Sequence, residues 1–197
     1  MRVLVIAYYT TWNGYDKEAE RLSKSLKRFE LESDILSLSR DYLPSWNDAV
    51  SYKPRFILEA FDHSKEFDGY LYVDADAQFV GKPDFSIFET CDLSFHKFKR
   101  CISTPTEFLT GTMYFANVPR VKEFIQLWAQ ETIPYKHTDT PEQHGLKDAM
   151  QKMPSMNVLD LPPEWVWIFD DFPKIYGKDR CPIIKHYQAS RRLRRIK

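Results

Sequence analysis

Apolar side chains fall in two rhythms along this chain, and the alternation between them lays out an α/β order. Val3-Leu4-Val5-Ile6-Ala7 is an unbroken aliphatic run, the pattern of a central strand covered on both faces. After an Asn13-Gly14 turn, Ala19, Leu22, Leu26 and Phe29 recur at three- and four-residue steps, with Lys17, Glu18, Glu20, Lys24 and Lys27 filling the other face of a helix. Ser33 to Leu38 then alternates as a short second strand and completes a βαβ unit. Pro54 suits the first turn of a helix running to about Lys65, with Ile57, Ala60 and Phe61 inward, and Tyr70-Leu71-Tyr72-Val73 is the next strand.

The second half repeats the alternation less regularly. Leu93 to Phe95 and Met113 to Phe115 read as short strands, and Pro119 opens a helix with Val121, Phe124, Ile125 and Trp128 on one face. A further helix starts at Thr140-Pro141 and buries Leu146, Met150 and Met153. Val158-Leu159, Trp165 to Ile168 and Pro182 to Ile184 are strand candidates. The segment from His96 to Phe108 reads as a loop placed to close over a ligand. Neither a repeat nor a low-complexity linker interrupts the order, which predicts one three-layer α/β domain over residues 1–197, either whole or the N-terminal part of a longer protein.

Composition narrows the class. The 197 residues are 43% hydrophobic and 28% charged, with 28 basic and 28 acidic side chains, which excludes a disordered, collagen-like or coiled-coil chain. The balance also argues against nucleic acid as a partner. It is uneven, however: Lys185, Arg191, Arg192, Arg194, Arg195 and Lys197 crowd the end with no acid among them, so the body is acidic and the tail basic. Three cysteines without metal or disulfide spacing fit a reducing compartment. The apolar start is too short for a signal segment, and no run reaches the length of a membrane span, so a soluble cytoplasmic protein is expected.

The chemistry concentrates where the Tyr70 strand ends, in Asp74-Ala75-Asp76. At extended spacing these two carboxylates project to one side, and ligands of open α/β sheets collect beyond the carboxyl ends of strands. Such hard oxygen donors suit Mn²⁺ or Mg²⁺. The triplet alone is weak evidence, since roughly 0.7 of them are expected in a random chain of this length.

The surrounding order adds weight. A βαβ start, an apolar strand ending in D-x-D, a later Thr110-Gly111-Thr112-Met113-Tyr114-Phe115 segment, Glu142-Gln143, Leu161-Pro162-Pro163-Glu164-Trp165 and a terminal Ile184-Lys185-His186-Tyr187 together resemble the GT-A fold of nucleotide-diphosphosugar glycosyltransferases. The likeness is to compact bacterial and viral enzymes, and to the retaining group in which a C-terminal histidine completes a metal site. It implies a Rossmann-like α/β domain with a mixed, mostly parallel sheet. It also implies transfer of a sugar, with UDP-sugars favoured as donor, to a hydroxyl on a glycan, protein or lipid acceptor, by a retaining route.

Carried over by position, the resemblance makes Asp76 the main ligand of Mn²⁺ (or Mg²⁺) and a catalytic group, with Ala75 between the acids against the donor. Asp74 contacts the ribose or the metal, and His186 supplies a third ligand. Ala7-Tyr8-Tyr9-Thr10 follows the first strand where the fold receives base and ribose, the tyrosines being either stacking platforms or core. Lys53 is a cation beside a helix start, meeting the donor or solvent. Thr110, Gly111 and Thr112 match the sugar-binding segment. Thr140-x-x-Gln143 is also a capping box, so Gln143 has a structural account while Glu142 stands as the better catalytic or sugar-binding candidate. Trp165 and Trp167, two apart on a strand candidate, are either acceptor contacts or buried core. The tail offers Arg191 or Arg192 as a diphosphate clamp and a basic surface for weak membrane contact. Rival readings are a catalytically degenerate nucleotide- or glycan-binding domain and a sugar nucleotidyltransferase. The nucleotidyltransferase is disfavoured because only Gly14 stands where a glycine-rich loop is needed.

Overall fold

In the computed structural model, residues 1–63, 66–101 and 103–189 are described. The elements are β1 (Val3–Thr10), α1 (Asp16–Arg28), β2 (Ser33–Leu38), α2 (Trp46–Ser51), α3 (Lys53–His63), β3 (Gly69–Val73), β4 (Ala77–Phe79), β5 (Leu93–Phe98), β6 (Glu107–Ala116), α4 (Pro119–Thr132), α5 (Pro141–Lys152), β7 (Val158–Asp160), β8 (Trp167–Ile168), α6 (Phe172–Tyr176) and β9 (Ile184–His186). Six strands form a sheet in the order β2-β1-β3-β6-β5-β7, in which β6 alone runs against the others. The mixed, mostly parallel sheet expected from the sequence is present.

The unbroken apolar run of β1 is explained by what covers it. Leu4, Ile6 and Tyr8 face a core shared with Phe56, Ile57 and Phe61 of α3, Phe124 and Trp128 of α4 and Leu146 of α5. Val3, Val5 and Ala7 face the opposite core, against Leu22 and Leu26 of α1. The strand β3 splits the same way, Tyr70 and Tyr72 to one core and Leu71 and Val73 to the other. Period-two side chains on a strand with both faces covered are all apolar, and the chain loses the alternation that would mark a one-sided strand.

Several expectations are corrected. Strand candidates of the C-terminal part belong partly to a second sheet, β4-β9-β8, rather than extending the main one. Trp165 sits in a 3₁₀ turn, and only Trp167–Ile168 are strand. The loop read over 96–108 is shorter, because His96 to Phe98 pair with Glu107 to Leu109 in a β5–β6 ladder that shifts register after Phe95. The helix read from Pro54 begins at Lys53, and its described part is Lys53–His63; it follows the separate short helix α2, with the side chain of Ser45 accepting from the Asp48 N–H at the start of α2. Among the described residues, no helix is long and apolar enough to cross a membrane. The basic tail from residue 190 onward, Arg191 included, lies outside the described residues.

Candidate active site

Beyond the C-terminal ends of β1 and β3 lies a cleft of about 450 Å³. Its floor is the acidic triplet, in a form the extended spacing does not anticipate. Strand β3 stops at Val73, the Asp74 N–H donates to the Gly111 carbonyl at 2.8 Å, and the Ala77 N–H donates back to the Asp74 carbonyl at 2.9 Å. Asp74-Ala75-Asp76 is therefore a tight turn, and its carboxylates converge by chain reversal instead of by two-residue periodicity along a strand.

The turn delivers the two acids to the end of β9. One carboxylate oxygen each from Asp74 and Asp76 and one nitrogen of His186 lie within 4.8 Å of one another. His186 is buried; its Nε2 is 2.8 Å from the Thr112 hydroxyl and its Nδ1 is 3.6 Å from Asp76 Oδ1. The Thr112 contact anchors Nε2 and turns Nδ1 toward the carboxylates, where it carries a proton toward Asp76 in the metal-free site and, once deprotonated, offers a lone pair to a cation. Burial pushes the Asp76 carboxyl up, and His186, the Ala189 N–H and Arg21 outweigh that and hold it below its ordinary value, so it stays ionised. Gly111 keeps the space beside them open: a Cβ there would stand 3.1 Å from Asp74 Oδ2 and 3.4 Å from His186 Nδ1. Two carboxylate oxygens and one imidazole nitrogen around such a space fit Mn²⁺ or Mg²⁺.

Beside the triad is a buried charge cluster. The Lys53 ammonium, 4% exposed, donates to the Thr110 carbonyl at 3.1 Å and lies 3.0 Å from Asp74 Oδ1 and 3.9 Å from Glu142 Oε1. The Tyr72 hydroxyl also donates to Asp74 Oδ1, at 2.8 Å, which directs Oδ1 to protein partners and leaves Oδ2 toward Gly111. Glu142 takes the Thr110 hydroxyl on Oε1 at 2.9 Å, while its buried Oε2 has no hydrogen-bond partner among the described residues. Burial pushes the Glu142 carboxyl up, against the pull of Lys53. Its place depends on a close helix pair: a Cβ on Gly145 would come within 2.7 Å of the Thr132 backbone, and the Trp128 indole donates to the Glu142 carbonyl at 2.7 Å.

Most of the residues singled out from sequence meet at this cleft: Tyr8, Tyr9, Thr10, Lys53, Asp74, Ala75, Asp76, Thr110, Gly111, Glu142, Gln143 and His186 all line it. Two do not. Ala7 is fully buried toward α1, and Thr112 is buried behind His186, whose ring it anchors. Tyr8 is largely core, its hydroxyl donating to the Ala49 carbonyl at 2.5 Å and its ring tilted against Phe56. Thr140 forms no side-chain cap at α5, so capping does not account for Gln143, which faces the cleft. Trp165 and Trp167 pack inward on Phe88 and Phe172 and do not line the cleft, which removes them as acceptor contacts.

Sequence reasoning missed the far wall, where Asn13, Tyr15, Trp46 and Val50 line the cleft. Two signals pointed there: Asn13-Gly14 directly follows a strand end, and Ser45 opens a capped helix.

No protein-family profile matches the chain, and no curated protein matches it by sequence. One solved structure, described as a glycosyltransferase involved in the glycosylation of the major capsid of PBCV-1, superposes with a TM-score of 0.71 over 100% of this chain and 98% of its own, at 12% identity. This chain has a glycosyltransferase fold. The alignment spans the whole length of this chain, so the likeness is not confined to the six-stranded sheet. Fold alone does not assign an activity, and the site must carry that argument.

Proposed function

We propose that this chain is a metal-dependent glycosyltransferase that moves a sugar from a nucleoside-diphosphate donor, a UDP-sugar, to an acceptor hydroxyl on a glycan, protein or lipid. The observation that carries the proposal is the convergence of Asp74, Asp76 and His186 on one point of a cleft whose neighbouring wall holds a buried, half-satisfied carboxylate, Glu142. On this reading those three residues hold Mn²⁺ or Mg²⁺, which supplies charge neutralisation of the departing diphosphate.

The protein's own residues divide the remaining work. Tyr9 and Thr10, at the end of β1, and Tyr15 and Trp46 opposite form the end of the cleft suited to base and ribose. Thr110, Gly111 and Gln143 face the sugar. In the transfer the bond from the anomeric carbon to the diphosphate oxygen breaks, the bond to the acceptor oxygen forms, and the acceptor proton passes to the released phosphate. Glu142 Oε2 accepts a sugar hydroxyl and stabilises positive charge growing at the anomeric carbon. Retention of configuration is favoured by the resemblance of the His186 segment to retaining enzymes.

The test is calorimetric titration with UDP and GDP, each with and without Mn²⁺, on the unaltered chain and on Asp76→Asn. UDP binding that needs Mn²⁺ and weakens at least about 100-fold in the variant supports the proposal. Binding of neither nucleotide under any condition favours the degenerate-domain alternative.

A further inference from the structure

Helix α1 lies behind the acidic turn, and one of its side chains reaches both halves of the cation site. Arg21 pairs with the buried carboxylate of Glu18 one turn earlier. Its Nη2 also lies 3.4 Å from the Asp76 carbonyl, and its guanidinium sits over the Tyr187 ring, 4.0 Å from the centroid.

Tyr187 directly follows His186. Its N–H donates to the Asp76 carbonyl at 3.3 Å, its hydroxyl donates to Gln78 Oε1 at 2.9 Å, and its ring stacks on Phe169 at 5.7 Å. Two residues later the Ala189 N–H donates to Asp76 Oδ2 at 2.8 Å. The segment that carries His186 is thus fastened to Asp76 at several points, with Arg21 touching both from a third element.

The fastening is needed because β4 and β9 are three residues each. Strands that short hold their register weakly unless side chains pin them. A planar guanidinium can stack on an aromatic ring and still present its edge to a carboxylate and a carbonyl, which an ammonium cannot do.

We propose that Arg21 is a positioning residue of the cation site: through Tyr187 and the Asp76 carbonyl it fixes His186 relative to Asp76 and so sets the affinity for the divalent cation. The proposal rests on the reading of Asp74, Asp76 and His186 as metal ligands given above.

The experiment measures Mn²⁺ affinity by electron paramagnetic resonance of the free ion, together with the melting temperature of the metal-free protein. The full chain is compared with Arg21→Lys, Tyr187→Leu, Tyr187→Phe and the Arg21→Lys/Tyr187→Leu double variant. Lysine keeps a cation beside Glu18, and the tyrosine variants leave the Glu18 pair untouched, so the fold is preserved. Arg21→Lys and Tyr187→Leu are expected to weaken Mn²⁺ about tenfold, the loss seen when a partner of a metal ligand is removed. Tyr187→Phe keeps the ring and stays within about twofold of the unaltered chain, and the double variant is no weaker than Arg21→Lys alone, because Tyr187→Leu removes only a stack that the lysine variant has already lost.

Unchanged Mn²⁺ affinity in Arg21→Lys and Tyr187→Leu overturns the proposal while leaving the metal site standing. Additive losses, or losses that track a melting temperature lowered by more than about 4 °C, overturn it in favour of a purely structural role. Failure of the unaltered chain to bind Mn²⁺ overturns the metal reading itself, and this proposal with it.

Discussion

Lys53 and Asp74 meet at 3.0 Å, a buried ammonium from the start of α3 against the first acid of the turn that ends β3. The contact ties the helix to the site and spends one Asp74 oxygen on the protein, leaving the other for a ligand. Lys53 lies just after the junction of α2 and α3, so one side chain links the cleft wall that carries Trp46 and Val50 to the acidic floor.

Replacing that cation should therefore show first in stability. Lys53→Met leaves the Thr110 carbonyl and the Asp74 and Glu142 carboxylates short of a donor. Asp74 retains partial solvent access, so the cost is set at roughly 2 kcal/mol, below that of a fully buried pair. Urea unfolding of the metal-free variant measures it; an unchanged midpoint contradicts the role assigned to Lys53.

Glu142 makes the opposite prediction. Its pKa is raised on folding, so the folded state disfavours its ionised form. That penalty is fully present above the folded pKa and disappears as pH falls from there toward the ordinary glutamate range. Glu142→Gln keeps an acceptor for the Thr110 hydroxyl and removes the penalty. The variant should melt about 2–4 °C higher than the unaltered chain at pH 8, with the gap closing toward pH 4.5, while transfer falls at least about tenfold. Melting curves across that pH range, paired with a donor-turnover assay, check both halves.

Gly111→Ala probes the space beside the acids. The new methyl meets Asp74 Oδ2 at 3.1 Å and His186 Nδ1 at 3.4 Å, so it intrudes on the proposed cation position and asks both side chains to give only slightly. Mn²⁺ affinity should drop by about an order of magnitude with little change in melting temperature. Metal titration of the purified variant decides it.

Gly145→Ala tests how Glu142 is carried. A methyl there comes within 2.7 Å of the Thr132 backbone and forces α4 and α5 apart, at a cost of about 1–3 kcal/mol. Because Glu142 rides on the first turn of α5, turnover should fall together with stability, whereas Mn²⁺ binding to the triad should persist.

Much of the fold was legible from periodicity. The apolar run of β1 and the three- and four-residue steps of α1 report which faces are buried, and the proline starts of α4 and α5 report where a helix can begin. Elements without a period were not legible. Three-residue β4 is too short to alternate, the Pro182 to Ile184 run marks β9 two residues early, α2 is held by a cap and not by a stripe, and the β5–β6 ladder after Phe95 sits behind a register shift. The Thr140 capping box failed because its hydroxyl makes no cap bond, which returned Gln143 to the cleft.

The sequence by itself determined an α/β order, an acidic pair at the end of a buried strand, and a resemblance that drew distant segments into one list of site residues. Only the tertiary structure decided that the acids converge through a turn, that Thr112 serves the His186 ring from behind, that Trp165 and Trp167 are core, and that Arg21 clasps the segment bearing His186. The reason is physical. Local periodicity encodes which side of an element meets apolar neighbours, but the distance between two side chains far apart in the chain is set by strand pairing and helix packing. No window of sequence contains that geometry.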